Sequence, residues 1–137
     1  MTGYITYLIR IAGASQIFLA LLHIPFYYKL NWGEDVRKLT RINAQVFHVH
    51  TLFICLVLFL SGLLCLFQAP LLLDGSSLSR FLLAGFFLFW FLRLIAQWFV
   101  YDFSHWVGKP KETTVHIIFT GVWIYYCAVF GFPLLYN

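Results

Sequence analysis

His23, His48, His50, His116, Arg93 and Gln97 each interrupt a long apolar stretch of the chain, with Gln16 deeper in the first stretch and Asn43 opening the second. Imidazole can ligate a metal or haem or bridge two hydrogen-bonding groups. Guanidinium is a permanent cation with a fixed fork of donors, and a primary amide both donates and accepts. Such groups are costly inside an apolar span, which makes them the first place to look for function. No carboxylate accompanies them, because Glu34, Asp35, Asp74, Asp102 and Glu112 all fall in or beside the polar segments. That weighs against carboxylate-bridged di-iron centres, which need Glu from several helices, and against proton relays built on acids. The chain also lacks His-Glu-x-x-His, a Gly-rich phosphate loop, a nucleophile elbow and a Cys-rich cluster. A catalytic role is therefore not expected.

The elements that must position these residues follow from composition. Of the 137 residues, 62% are hydrophobic and 10% charged, against about 25% charged in soluble domains. Four apolar stretches, 4–28, 44–67, 81–101 and 115–136, each reach the roughly 20 residues that span a bilayer core of about 30 Å. The first has no basic stretch before it and runs on to Phe26-Tyr27-Tyr28, which marks a retained helix rather than a signal peptide. The expected fold is an all-α, up-down-up-down four-helix membrane bundle forming a single domain over 1–137. Cys55, Cys65 and Cys127 lie within the stretches, where free Cys acts as a small hydrophobe.

Lys29, Arg37, Lys38 and Arg41 crowd the first polar segment and Lys109 and Lys111 the third, while the second has only Arg80. The excess of positive charge marks the cytoplasmic side, so both termini are expected away from it, with a bacterial inner membrane as the expected location. The basic loops suit anionic headgroups, and the net charge of +4 does not argue for nucleic acid.

In that topology His23, His48, His50, Arg93 and His116 form one layer, roughly 7–14 Å from the cytoplasmic face at about 1.5 Å per residue. At about 100° per residue, Gln16, Ala20, His23 and Tyr27 share a stripe. So do His116, Thr120, Trp123 and Cys127, and Arg93 lies with Gln97 and Tyr101. His48 and His50 point apart. His50 shares its stripe with Asn43, Phe47, Ile54, Val57 and Ser61, which makes it the inward choice. That leaves His48 to a partner protein, a lipid headgroup or a second ligand.

The expected site is thus His23, His50, His116, Arg93, Gln97 and Asn43. His23, His50 and His116 are its candidate metal ligands, with His48 as the alternative. A bare copper, zinc or iron dication would repel Arg93, which favours a ligand with negative groups. Haem b comes first, as in electron transfer, with a quinone or lipid headgroup beside it. A single buried histidine has a plainer explanation in a hydrogen bond to a neighbouring helix, worth about 0.6 kcal/mol. The rival function is a cofactor-free scaffold: bulky aromatics such as Phe86-Phe87 and Phe89-Trp90-Phe91 suit contact with other membrane subunits or a second copy. Either way an accessory subunit in a lipid bilayer is expected.

Overall fold

The computed structural model describes residues 2–29 and 31–136, and all its regular structure is helical. Helix α1 spans Thr2–Lys29, α2 Trp32–Arg37, α3 Arg41–Phe67, α4 Ser77–Phe99 and α5 Pro110–Gly131. Short 3-10 turns occupy Leu71–Leu73, Phe103–His105 and Phe132–Leu135. Four helices, α1, α3, α4 and α5 with its 3-10 extension, are long and apolar enough to cross a membrane. The protein is an all-α integral membrane protein.

The helices start before the apolar stretches because polar residues begin them. Ser76 caps α4 by accepting from the Ser79 amide at 3.1 Å, and the Asp74 carboxylate accepts from the Ser76 amide at 2.8 Å. The Ser76 backbone N–H, donating to the Asp74 carboxylate, is the main cause that holds it below its ordinary range. Asp102 is lowered likewise, chiefly by the Ser104 amide at 2.8 Å. Pro110 opens α5, where a missing N–H costs nothing. Pro25 lies inside α1, which nonetheless continues to Lys29. The first polar segment contains α2, which a hydropathy pattern cannot register. Asn31 enters it in the left-handed region at φ 54°, and Lys38 pairs with Asp35 at 2.9 Å.

The chain forms two compact units, Met1–Leu8 with Pro70–Asn137, and Ile9–Ala69. In the first, α4 and α5 are joined by aromatic stacking: Trp90 lies 5.1 Å from Trp123 at 15° and 4.3 Å from Tyr126, and Phe86 lies 5.1 Å from Phe130. The Tyr125 hydroxyl donates to the Leu8 carbonyl at 2.8 Å.

In the second unit α1 meets α3 at Gly13 and Gly62. A Cβ on Gly13 would stand 2.6 Å from the Gly62 carbonyl oxygen, so the two backbones touch. Lipid removes the hydrophobic drive between helices, and close approach at small residues supplies the packing instead. Beside this crossing, Ser61 donates to Gln16 Oε1 at 2.6 Å.

Candidate functional site

Arg93 and Gln97 sit one turn apart on α4, and His116 and Trp123 two turns apart on α5. Gln97 joins them all. Its Oε1 accepts from Arg93 Nη1 at 3.1 Å and from the Trp123 indole at 3.4 Å, and its Nε2 lies 2.8 Å from His116 Nδ1. Gln97 and His116 are only 7% and 6% exposed, and an unpaired polar atom there costs as much as a lost hydrogen bond. The Arg93 guanidinium lies 4.9 Å from the Trp123 ring and 5.5 Å from that of Tyr101. Cation–π attraction thus takes the place of an acidic partner, and Arg93 makes no ion pair among the described residues. Asp102, its nearest acid in sequence, is engaged with Ser104 instead.

A loop completes the enclosure. Gly108 at φ +80° lets the chain turn ahead of Pro110. Thr113 then donates to the Trp106 carbonyl at 2.6 Å, one turn before His116. Trp106 consequently stacks on His116 with centroids 4.1 Å apart at 14°, while Trp98 meets the same ring edge-on at 5.0 Å.

The network has a direction. Two donors converge on Gln97 Oε1, so its amide nitrogen must face His116, whose Nδ1 accepts and whose proton therefore sits on Nε2. Among the described residues, His116 Nε2 and Gln16 Nε2 are buried side-chain atoms without a hydrogen-bond partner. Metal-bound histidines have the reverse polarity, donating from one nitrogen and ligating through the other. The arrangement at His116 suits an acceptor oxygen better than a metal.

His23 and His50 do have that reverse polarity. Each lies with Nδ1 2.9 Å from a backbone carbonyl one turn back, of Leu19 and of Val46. A carbonyl can only accept, so Nδ1 carries a proton, and in the neutral ring Nε2 keeps a lone pair. Both belong to the second unit, as do His48 and Asn43. His48, His50 and Asn43 are all exposed.

Within that unit it is His48, not His50, whose ring lies against α1, 5.9 Å from that of Tyr27. Both stripes of α3 border α1: His48 shares its stripe with Gly62, at the contact with Gly13, and His50 shares its own with Ser61, which donates to Gln16. No group of three or more His, Cys, Asp or Glu side chains placed to hold a metal occurs among the described residues.

Of the expected residues, Arg93, Gln97 and His116 form one hydrogen-bonded cluster in the first unit. Sequence reasoning put Trp123 on the His116 stripe but gave it no role. It missed Trp106 as a wall, since a loop residue has no periodicity to betray it.

Comparison of the chain with protein families, curated proteins and solved structures finds no match. Fold and site define the class: a small all-α membrane protein with an Arg-Gln-His polar cluster between two of its membrane-length helices.

Proposed function

We propose that this is a ligand-binding, non-catalytic membrane subunit whose α4–α5 pair takes a lipophilic ligand through an acceptor oxygen, a quinone carbonyl being the best fit. One observation carries the proposal: the buried, unpartnered Nε2–H of His116, aligned as a donor by Gln97. Arg93 adds charge-assisted donors that no acid occupies among the described residues. A cavity of about 870 Å³ along the end of α4, walled by Phe91, Ile95, Trp98, Tyr101 and Phe103, suits an apolar tail. It shares Trp98 with the ring contacts of His116 and Tyr101 with those of Arg93. The accessory role in a larger complex or with a second copy rests on exposed large hydrophobics such as Phe81, Phe89, Phe91 and Phe99. The proposed placing of the polar cluster in the cytoplasmic half of the membrane rests on the charge asymmetry of the loops.

The test is titration of the purified protein with a short-chain benzoquinone, read by quenching of the tryptophans that surround His116. Wild type should quench saturably, and His116→Ala and Arg93→Leu should each weaken binding by about tenfold, the equivalent of one hydrogen bond to a charged or buried group. Equal quenching in all three proteins, or none in wild type, would leave the scaffold role.

Haem or metal ligation is a second reading, favoured by the free Nε2 lone pairs of His23 and His50. It requires a Soret band or copurified metal that disappears in His23→Ala and His50→Ala while persisting in His116→Ala. Absence of both signals ends it.

A further inference from the structure

A second cavity, of about 570 Å³, lies wholly within the Ile9–Ala69 unit, where α1 ends and α3 begins. Tyr27, Tyr28, Asn31, Glu34, Arg37 and His48 line it. This is the level at which a spanning helix leaves the hydrocarbon, and paired tyrosines are typical of headgroup depth. The lining carries one fixed charge of each sign. Arg37 uses Nε on the Gly33 carbonyl at 3.1 Å, and neither it nor Glu34 forms an ion pair among the described residues, where the one salt bridge joins Lys38 to Asp35. A carboxylate and a guanidinium three residues apart on one helix are neighbours, about 5–6 Å between Cβ atoms. They are left unpaired beside an open cavity.

We infer that this cavity binds the headgroup of a zwitterionic, amine-bearing phospholipid, with Arg37 on the phosphate, Glu34 on the ammonium and the tyrosine rings flanking the ammonium. The charges select this chemistry. A purely anionic headgroup would meet Glu34, and a simple amine would meet Arg37. The two-carbon spacer of an ethanolamine phosphate separates its opposite charges by a distance comparable to the roughly 5–6 Å between Cβ atoms three residues apart on a helix. A guanidinium fork suits phosphate oxygens, and the faces of Tyr27 and Tyr28, edge to face at 5.5 Å, suit a cation. A primary ammonium is favoured over a trimethylated one because it can donate hydrogen bonds to Glu34. His48, packed on Tyr27, closes the α3 side, a role separate from the Arg93–Gln97–His116 cluster.

The experiment is native mass spectrometry of the full chain released from micelles doped with phosphatidylethanolamine, phosphatidylcholine or phosphatidylglycerol. Wild type should retain phosphatidylethanolamine over both others by on the order of tenfold, the worth of one charge-assisted hydrogen bond. Glu34→Gln should abolish that preference and raise phosphatidylglycerol retention, a gain that misfolding does not produce. Arg37→Gln should lower retention of all three phospholipids. Equal retention of the three lipids by wild type, a wild-type preference for phosphatidylglycerol, or an unchanged preference in Glu34→Gln would overturn the inference. So would displacement of the lipid by equimolar free phosphoethanolamine, which would make the ligand a soluble phosphoamine.

Discussion

At the scale of single residues, the polarity of Gln97 decides what His116 can bind. Replacing the amide by a carboxylate reverses it: in Gln97→Glu both side-chain oxygens accept, so His116 must present Nδ1–H and, as a neutral ring, lose its fixed donor at Nε2. We expect that variant to fold, keep the Arg93 contact and lose quinone binding, with the ¹⁵N spectrum of the imidazole reporting the change of proton position. An unchanged spectrum would show that Gln97 does not set the tautomer. Gln97→Leu is harsher, since it strips partners from Arg93, Trp123 and His116 together. It should cost about 2 kcal/mol or more, measured as a lower melting temperature in detergent.

Asp74 and Asp102 set a different residue-scale response. Their folded pKa values are depressed by the amides of Ser76 and Ser104, so their contribution is complete above the unfolded pKa of about 3.9 and is lost as pH falls through the folded value. Asp74→Asn with Asp102→Asn keeps an acceptor at each turn and should flatten the acid side of a melting-temperature profile below about pH 4. An unaltered profile would assign that limb to other groups.

Among the elements, the junction of α1 with α3 is the most sensitive to size. A Cβ at Gly62 would lie 2.7 Å from Ile17 Cγ1 and 2.8 Å from the Gly13 carbonyl. Backbone cannot yield as a flexible side chain does, and overpacking costs about 1–3 kcal/mol. Gly62→Ala and Gly13→Ala should therefore destabilise the protein, whereas Gly121→Ala and Gly85→Ala, with nothing within 4 Å of the added Cβ, should be neutral or slightly stabilising through helix propensity. Thermal melts of the four variants check this. Four equal effects would mean that the close approach does not hold the unit together.

For the whole molecule, the prediction concerns which way the chain crosses the bilayer. The positive charges of the first and third loops outweigh the single Arg80 of the second, so the loop at Ser76 is expected outside. In intact cells, a cysteine at Ser76 should react with a membrane-impermeant maleimide, and one at Lys109 should not. Cys55, Cys65 and Cys127 lie within membrane-length helices and should add little background. Labelling only at Lys109 would invert the orientation and move the polar cluster to the outer half.

The division between what was legible in the sequence and what was not follows the range of the forces involved. Burial of apolar residues in lipid is decided along one helix, so the four spans and their polar interruptions, Arg93, Gln97 and His116 among them, are present in the order of residues. Helix ends depend on caps such as Ser76, which carry no hydropathy signal. Rotation about a helix axis depends on what packs against it: the polar stripe of α3 pointed to His50, and in the structure the His48 ring meets Tyr27 while Ser61 of the His50 stripe meets Gln16. The position of the His116 proton depends on groups from α4 and α5 converging on one amide. The enclosure of the same ring depends on Trp106, a loop residue held by Thr113. Periodicity describes a helix in isolation, and only packing between segments could decide which way these histidines turn and what each can bind.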